Sequence, residues 1–331
     1  MAHHEAKHWE SAGEGKVRCG LCPNRCLIAE GREGRCMVRR NEGGRLVSLS
    51  YGNTVTVAID PIEKKPLYHF LPGSAILSIG PNGCTLTCDH CQNWQISQER
   101  VPVRYLSPTE LVALAGRQGS VGVAFTYTEP LIWFEYLLDV CPLLHETGLK
   151  AVLVTNGYLE EEPAREIAPL IDACNVDLKS FDDRFYREYC GGSIEPVKRF
   201  IEIAAEAGTH VEVTCLVIPG LNDTPEEISR MARWLAGVGR DIPLHLSRFF
   251  PQHRMTDRTP TPQATLEKAY EAAREFLDYV YIGNIFIEGT EDTRCPACGE
   301  TVVERSGYSV RVRGTGGTCP SCGTSIKGVW K

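Results

Sequence analysis

The chain has no long apolar run, no apolar leader and no excess of positive charge, and each absence excludes a class of protein. No stretch of about 18 uncharged apolar residues occurs, so we expect no membrane-spanning helix. Residues 1–9 lack the apolar core of a secretory signal, so we expect no export. The formal net charge of −7 disfavours a general nucleic-acid surface. These absences leave a soluble enzyme without a membrane or nucleic-acid partner.

Cysteine, by contrast, is abundant. The chain has 331 residues, of which 43% are apolar and 15 are cysteine, enough for one large domain or two to three smaller ones. Eleven cysteines fall into three groups with the short spacings of metal sites rather than of secreted disulfide frameworks. Thiolates that bind metals need a reducing environment, so we expect a cytoplasmic, air-sensitive protein. The remaining four, expected to behave as small buried apolar residues, are Cys141, Cys174, Cys190 and Cys215.

The central group is the most informative, because it has three cysteines rather than four. Cys84, Cys88 and Cys91 follow an apolar strand with the spacing C-x3-C-x2-C. A four-iron cluster normally takes four thiolates, so three leave one iron free to bind a substrate or cosubstrate. This spacing therefore predicts a reactive cluster. The alternative is a zinc site completed by His90.

The N-terminal group has four cysteines, at Cys19, Cys22, Cys26 and Cys36. Four thiolates without a free position suit structural zinc or an auxiliary iron–sulfur cluster, and the sequence does not separate these two. A third alternative is that the four remain unliganded. Residues 16–40 also carry seven Lys/Arg against two Glu, which fits a solvated loop or a docking patch for an acidic electron donor.

The C-terminal group consists of two matched knuckles, Cys295-Pro-Ala-Cys298-Gly and Cys319-Pro-Ser-Cys322-Gly. Paired C-x-x-C motifs at this separation predict a zinc ribbon, with short strands between the knuckles. A single C-x-x-C could instead be a redox motif, but the pairing favours zinc. We expect the zinc to stabilise a tail that is too small to fold alone.

Between the cysteine groups, predicted strands and helices alternate. Continuous apolar strands in repeated βα units predict an α/β fold with a parallel sheet, closed as a full or partial barrel. Ligands of such sheets bind at the carboxyl ends of the strands, where the polar motifs of this chain fall. The predicted strands are residues 75–80, 121–126, 151–155, 173–177, 211–218, 243–247 and 279–285. The predicted helices are 130–146, 159–171, 196–207 and 265–276, with further starts at Ser107 and Thr224.

The cysteine loop and the strand-end motifs together resemble a known superfamily. The C-x3-C-x2-C spacing of residues 84–91 resembles the signature of radical S-adenosylmethionine (SAM) enzymes. Thr126-Tyr-Thr-Glu129-Pro130 takes the place of their Gly-Gly-Glu-Pro motif, with the Glu-Pro half retained. The segments 155–157, 177–179 and 218–223 are similar to motifs of pyruvate formate-lyase activating enzymes. The resemblance spans residues 70–285 and implies a partial (β/α)6-type barrel.

This resemblance implies a reaction and a set of roles. The cluster would cleave SAM by one electron to methionine and a 5′-deoxyadenosyl radical, which abstracts hydrogen from a substrate. Glu129 would accept a hydrogen bond from the SAM ammonium, whereas a salt-bridged carboxylate is the alternative. The alternative for Asn156 is a turn residue before Gly157. The alternative for Asp177 and Lys179 is a buried ion pair. The other residues expected to contact SAM or substrate are Asn156, Asp177, Lys179, His245 and Arg248.

Over nearly its whole length, the chain is similar to the AmmeMemoRadiSam system radical SAM enzymes. The N-terminal cysteines, the segment 61–69 and the terminal ribbon carry this likeness, which does not fix a substrate. It implies a cysteine-rich segment (1–44), a barrel (45–290) and a ribbon (291–331). The implied partners are an electron donor such as flavodoxin or ferredoxin and an unidentified small molecule or protein. A glycyl-radical activase and a noncatalytic electron-transfer protein are alternatives, although residues 94–107 are too few for the two-cluster insert of some activases.

Overall fold

The computed structural model describes residues 4–331 and begins with short antiparallel strands around the first cysteine group. Two three-stranded sheets have the orders β1-β6-β5 and β2-β3-β4, and β7 pairs with a later strand. Gly43 and Gly44 both have positive φ (61° and 77°) and form the tight turn between β5 and β6. The strands are β1 (His4–Glu5), β2 (Trp9–Ser11), β3 (Val17–Cys19), β4 (Leu27–Ile28), β5 (Arg39–Glu42), β6 (Arg45–Ser48) and β7 (Asn53–Thr54).

The central sheet has eight strands. It contains β8 (Thr56–Pro61), β9 (Ala75–Gly80), β11 (Gly122–Phe125), β12 (Lys150–Thr155), β13 (Ala173–Asp177), β14 (His210–Val217), β15 (Leu244–Arg248) and β16 (Val280–Gly283). The order is β16-β15-β14-β13-β12-β11-β9-β8, with β8 antiparallel and the others parallel. β10 (Arg104–Tyr105) lies outside it and pairs with β7. The predicted parallel α/β sheet is confirmed, and its unpaired edges β8 and β16 leave it an open barrel.

Helices cross over between the parallel strands. They are α1 (Trp94–Gln98), α2 (Pro108–Arg117), α3 (Phe134–Glu146), α4 (Glu161–Ile167), α5 (Asp183–Phe185), α6 (Glu195–Glu206), α7 (Pro225–Gly239) and α8 (Gln263–Arg274). Short 3-10 turns at Ile62–Lys64, Pro130–Trp133 and Ala168–Leu170 and a π turn at Tyr186–Cys190 complete the series.

The helix ends follow local sequence chemistry. Ser107 caps α2 by accepting from the backbone N–H of Glu110 (3.3 Å), as its sequence predicts. The predicted helix over 159–171 is shorter, because Pro169 has no N–H to continue the ladder after α4. No helix within residues 4–331 combines the length and apolar character needed to cross a bilayer.

The C-terminal tail forms a third small sheet, which packs against the barrel. Its strands are β17 (Thr293–Arg294), β18 (Thr301–Ser306) and β19 (Ser309–Val312). Arg305 on β18 donates to the carbonyl of Tyr68 (2.6 Å), and its guanidinium lies 4.2 Å from the centre of the Tyr68 ring. His69 pairs through Nδ1 with the Lys327 carbonyl (2.7 Å). The segment 61–69, which carries part of the family likeness, therefore joins the barrel to the tail.

Candidate active site

The three-cysteine loop lies at the carboxyl end of β9, where the parallel strands open into a cleft. Two glycines fix its path. A Cβ on Gly80 would lie 2.3 Å from the carbonyl oxygen of Thr126, and one on Gly83 (φ 117°) would lie 2.4 Å from that of Cys36. Only glycine permits these backbone approaches, so the loop is held between β11 and the N-terminal segment.

Polar donors surround the sulfur atoms of this loop. The Sγ atom of Cys84 accepts from the backbone N–H of Leu86 (3.5 Å) and from Nδ2 of Asn156 (3.5 Å), while Sγ of Cys91 lies 3.3 Å from Oγ of Ser97. Burial raises the pKa of the Cys84 thiol well above its usual value, and a cation bound at the sulfur would favour the ionised form. Three cysteines on one loop, with N–H donors at Cys84 and a hydroxyl at Cys91, fit a three-cysteine iron–sulfur cluster.

A fourth thiol lies beside the loop. The ligand atoms of Cys88, His90 and Cys190 all lie within 4.8 Å of one another, and all three residues are buried. Burial lowers the pKa of His90 to about 3, so its ring is neutral, and Nδ1 has no hydrogen-bond partner among the described residues. The sequence predicts only a buried apolar role for Cys190. It lies far from Cys88 along the chain, so no motif spacing indicates that the two thiols meet.

Three of the predicted cosubstrate residues line the inner cleft with the cysteines. Asp177 and Lys179 form an ion pair (3.0 Å) there, next to Asn156. The pKa of Lys179 is raised well above its usual value: burial alone would lower it, but the attraction of Asp177 and of nearby thiols outweighs burial. The inner cleft has a volume of 310 Å³. It therefore offers a cation, an anion and an amide beside the cluster loop.

Glu129 is near this cleft but is bonded inward. Its carboxylate accepts from the backbone N–H of Leu131 (2.9 Å), from Thr155 Oγ1 (2.6 Å) and from the backbone N–H of Asn156 (2.8 Å). The side chain is 1% exposed, and burial raises its pKa to about 7. In this arrangement, Glu129 positions Asn156. Its direct contact with SAM stays a prediction.

Of the two predicted site residues on β15, only His245 lines the cleft. His245 lines the outer part of the cleft, where Nε2 pairs with the buried carboxylate of Glu212 (2.6 Å). Arg248 instead donates through Nε to the Thr261 carbonyl (2.9 Å), and its guanidinium lies over the Phe250 ring. Arg248 is therefore not among the residues that line either part of the cleft.

The outer cleft continues from the inner one and has a volume of 840 Å³. Lys64 and Tyr127 belong to both parts, whereas Gly307 and Tyr308, at the turn between β18 and β19, line only the outer part. The ribbon thus contributes a wall where a substrate would bind. Its role here was not expected, because the sequence predicts only the ribbon's own fold.

Tyr127 is a second unexpected cleft residue. It takes a positive φ of 71°, which is uncommon for a side chain of this size. Its hydroxyl donates to Asp60 (2.7 Å), which also pairs with buried Lys65 (2.7 Å), and Asn93 Nδ2 donates to its carbonyl (2.6 Å). These contacts hold the Tyr127 backbone in its strained form. Tyr127 replaces a glycine of the Gly-Gly-Glu-Pro motif and keeps the positive φ that glycine adopts easily.

The two other cysteine groups differ in their spacing. Sγ of Cys295 lies 3.6 Å from that of Cys322, Cys298 and Cys319 are equally close, and all four sulfurs lie within 4.8 Å. Such a cluster can bind a single metal ion. The N-terminal four instead line one enclosed cavity between the N-terminal strands and the barrel. All fifteen cysteines are free thiols.

The α/β fold has a cleft at the carboxyl ends of its parallel strands, and this cleft is lined by three cysteines that could hold a metal group. The radical SAM superfamily model matches residues 78–235, which include the cysteine loop and run from within β9 to within α7. The chain is also 41% identical over 313 residues to an uncharacterized protein of Methanocaldococcus jannaschii, covering 93% of both chains. The chain belongs to the radical SAM superfamily.

More distant relatives agree with this assignment. The pyruvate formate-lyase-activating enzyme of Clostridium pasteurianum is 26% identical over 165 residues, or 47% of this chain and 67% of that protein. A radical SAM methyltransferase structure from Sphaerobacter thermophilus superposes with a TM-score of 0.50 at 19% identity, covering 70% of this chain and 71% of that one. The structure of SAM-bound Streptococcus suis SuiB superposes with a TM-score of 0.50 at 14% identity, covering 67% of this chain and 53% of that one. These two structures share the fold.

Proposed function

We propose that this chain cleaves SAM reductively and directs the resulting 5′-deoxyadenosyl radical to a substrate bound in the outer cleft. The observation that supports this most is the common cleft of Cys84, Cys88 and Cys91 with the Asp177–Lys179 pair. In radical SAM enzymes, a [4Fe–4S] cluster at such a loop supplies the electron and binds SAM through an open iron. Both parts of the site are present on this chain and face the same space.

The charged pair suits the amino-acid end of SAM. A carboxylate and an ammonium on the cosubstrate can exchange partners with Lys179 and Asp177, so neither buried charge is left unpaired. Asn156 holds its amide toward Cys84, and Glu129 fixes the backbone N–H of Asn156. His245 faces the outer cleft and is assigned to the substrate side, whereas Arg248 is assigned a structural role.

The continuous inner and outer clefts are consistent with hydrogen abstraction from a molecule that enters past the ribbon. Exposed Phe286 and Tyr308 at the rim fit a small molecule or a protein segment with an apolar part. We further propose an external electron donor of the flavodoxin or ferredoxin class, a cytoplasmic location, zinc in the ribbon and membership of the AmmeMemoRadiSam group. The likeness to the M. jannaschii protein over 93% of both chains supports a common architecture.

Anaerobic reconstitution tests the proposed reaction. The reduced protein is mixed with SAM, and 5′-deoxyadenosine is measured by chromatography. We expect product with the native chain and none after joint replacement of Cys84, Cys88 and Cys91 by Ala. Cys174→Ala, a buried cysteine on β13, is the matched control and should retain product. Equal product from the triple variant would reject the proposal.

A further inference from the structure

The four N-terminal cysteines enclose a space next to the active-site loop. Cys19, Cys22 and Cys36 are buried, and Cys26 is partly exposed. Three apolar side chains (Leu21, Ile28 and Ile132) complete its wall together with Asn24, Arg39 and Thr85, and three of the four thiols are shielded from solvent. The full lining is Cys19, Leu21, Cys22, Asn24, Cys26, Ile28, Gly34, Cys36, Arg39, Thr85 and Ile132.

The width of this arrangement distinguishes one metal ion from a cluster. One zinc ion holds its sulfurs about 2.3 Å away, so the sulfurs touch and no cavity remains between them. The ribbon cysteines have that close spacing. The N-terminal four do not: within residues 4–331, no three of them belong to a group of ligand atoms within 4.8 Å. Cys84, Cys88 and Cys91 likewise do not form a group within 4.8 Å in this part of the chain, and an iron–sulfide cage is larger than a single ion.

Hydrogen-bond donors also point at the N-terminal sulfurs. The backbone N–H of Arg35 donates to Cys26 (3.4 Å), Nδ2 of Asn24 to Cys22 (3.6 Å) and Nη1 of Arg39 to Cys19 (3.9 Å). Arg39 is 1% exposed and paired with Glu135, so its position is fixed. Donors of this kind stabilise the negative charge of a reduced iron–sulfur cluster and set its potential.

Two side chains of the N-terminal segment donate hydrogen bonds to the active-site loop. Asn24 donates to the carbonyl of Thr85 (2.7 Å), and Arg35 donates to Thr87 Oγ1 (2.8 Å). Thr85 lines the N-terminal cavity and immediately follows Cys84, a Cα separation of about 3.8 Å. The carbonyl of Cys36 packs so closely on Gly83 that no side chain fits there. An electron would therefore cross only this shared wall.

We propose that Cys19, Cys22, Cys26 and Cys36 hold a four-iron cluster that relays an electron to the group held by Cys84, Cys88 and Cys91. This inference rests on the proposed function. A one-electron protein donor of the flavodoxin or ferredoxin class is oxidised, and the N-terminal cluster is reduced by one electron. That electron then passes to the second group, and the N-terminal cluster returns to its oxidised state. No bond forms or breaks in the relay. Cys26, the partly exposed ligand, marks the entry side.

Metal content tests the cluster without reference to activity. In anaerobically reconstituted full-length protein, we expect about eight irons and about one zinc per chain. The variant with Cys84, Cys88 and Cys91 replaced by Ala should keep about four irons and show a reduced-cluster signal by electron paramagnetic resonance. About two zinc ions and no iron in that variant would overturn the proposal.

The relay is tested by the rate of reduction. In Cys26→Ser, we expect the remaining cluster to be reduced by reduced flavodoxin at least tenfold more slowly than in the native chain, as followed by freeze-quench resonance. Dithionite, which diffuses into the open cleft, should reduce it to the native extent. Equal flavodoxin rates would reject the relay.

Asn24→Ala provides a second test, because it removes a hydrogen bond to Cys22 and keeps all four cysteines. We expect an unchanged metal content and a shifted midpoint potential of the N-terminal cluster. An unchanged midpoint potential would contradict the proposed cluster at this site. SAM cleavage with dithionite tests the proposed function separately.

Discussion

The side-chain amide of Asn156 lies 3.5 Å from the Sγ atom of Cys84. This contact joins the end of β12 to the cysteine loop after β9, and Glu129 holds the backbone of Asn156 in register. The amide therefore lies beside Cys84, in the same cleft as the Asp177–Lys179 pair. Its removal should change the electronic properties of the site without removing a metal ligand.

Asn156→Ala should lower the midpoint potential of the active-site cluster. A hydrogen bond to sulfur stabilises the reduced, more negative state, so its loss favours the oxidised state. A net contribution of about 1 kcal/mol corresponds to about 40 mV for one electron. The potential is measured by a redox titration monitored by electron paramagnetic resonance at matched iron content. Asn284→Ala, which removes a cleft amide that donates to the Arg248 carbonyl, is the control and should leave the potential unchanged.

Cys190→Ser should improve iron recovery after exposure to air. Once the cluster is lost, the thiols of Cys88 and Cys190 are close enough to form a disulfide after a small side-chain rotation. The serine variant lacks that route, so Cys88 stays available for reconstitution without a reductant. Iron per chain is measured after air oxidation and anaerobic reconstitution. Cys174→Ser is the matched buried control, and equal recovery in native and Cys190→Ser proteins would argue against the disulfide.

Glu129→Gln should lower the free energy of unfolding by about 1–3 kcal/mol, because an amide cannot accept all three inward hydrogen bonds. Unfolding is followed by denaturant titration under anaerobic conditions. SAM affinity, measured at matched iron content, should fall only as far as Asn156 is displaced. A large loss of SAM affinity with unchanged unfolding would show that the carboxylate contacts the ammonium directly. Glu146→Gln, at the end of α3, is the surface control.

Cys298→Ala should remove the ribbon metal and loosen the outer cleft. Three remaining thiolates bind zinc less tightly, and the tail depends on the ion for its fold. We expect loss of about one zinc per chain and faster amide exchange over residues 293–329. Cys141→Ala, inside α3, tests the loss of a thiol elsewhere. Full zinc content in Cys298→Ala would contradict the four-cysteine site.

Acidification should destabilise the fold through His69. Burial lowers its pKa to about 3, although the Glu212 carboxylate opposes this shift. The unfolded imidazole titrates near 6.5, so below that pH the unfolded state takes up the proton first and stability falls by about 1.4 kcal/mol per pH unit. Well above pH 6.5 the His69 imidazole is neutral in both the folded and the unfolded state, so its ionisation no longer reduces the free energy of unfolding. Denaturant unfolding between pH 7.5 and 5.5 measures the slope, and His69→Gln should show a smaller one than the native chain.

Most of the sheet could be predicted from the sequence, because its strands are short apolar runs separated by helical segments. β9, β12 and β13 match the expectation closely, since apolar residues face packed layers on both sides. The antiparallel strand β8 was not predicted. Its apolar run is only three residues long (57–59), and its identity as a strand depends on pairing with β9.

The site was predictable where the spacing within one loop or strand end determines proximity. Asp177 and Lys179 are such a case, as are the three cluster cysteines. Cys190 and Tyr308 reach the site only through the turn after α5 and the packing of the ribbon, which no local pattern indicates. Glu129 shows the opposite limit: its place beside the cleft was predictable, but the inward direction of its hydrogen bonds depends on Thr155 and Asn156.

The position of the ribbon in the cleft wall also affects the order in which the cleft forms during synthesis. Residues 293–312 are synthesised after every strand of the central sheet, yet Tyr308 lines the outer cleft and Arg305 anchors the tail on Tyr68. Domains fold as units during synthesis, N-terminal first. A nascent chain can therefore assemble its sheet and cysteine loop while one side of the cleft is still missing. We expect metal binding by the four ribbon cysteines to be a late step of maturation, after which the outer cleft has its full wall.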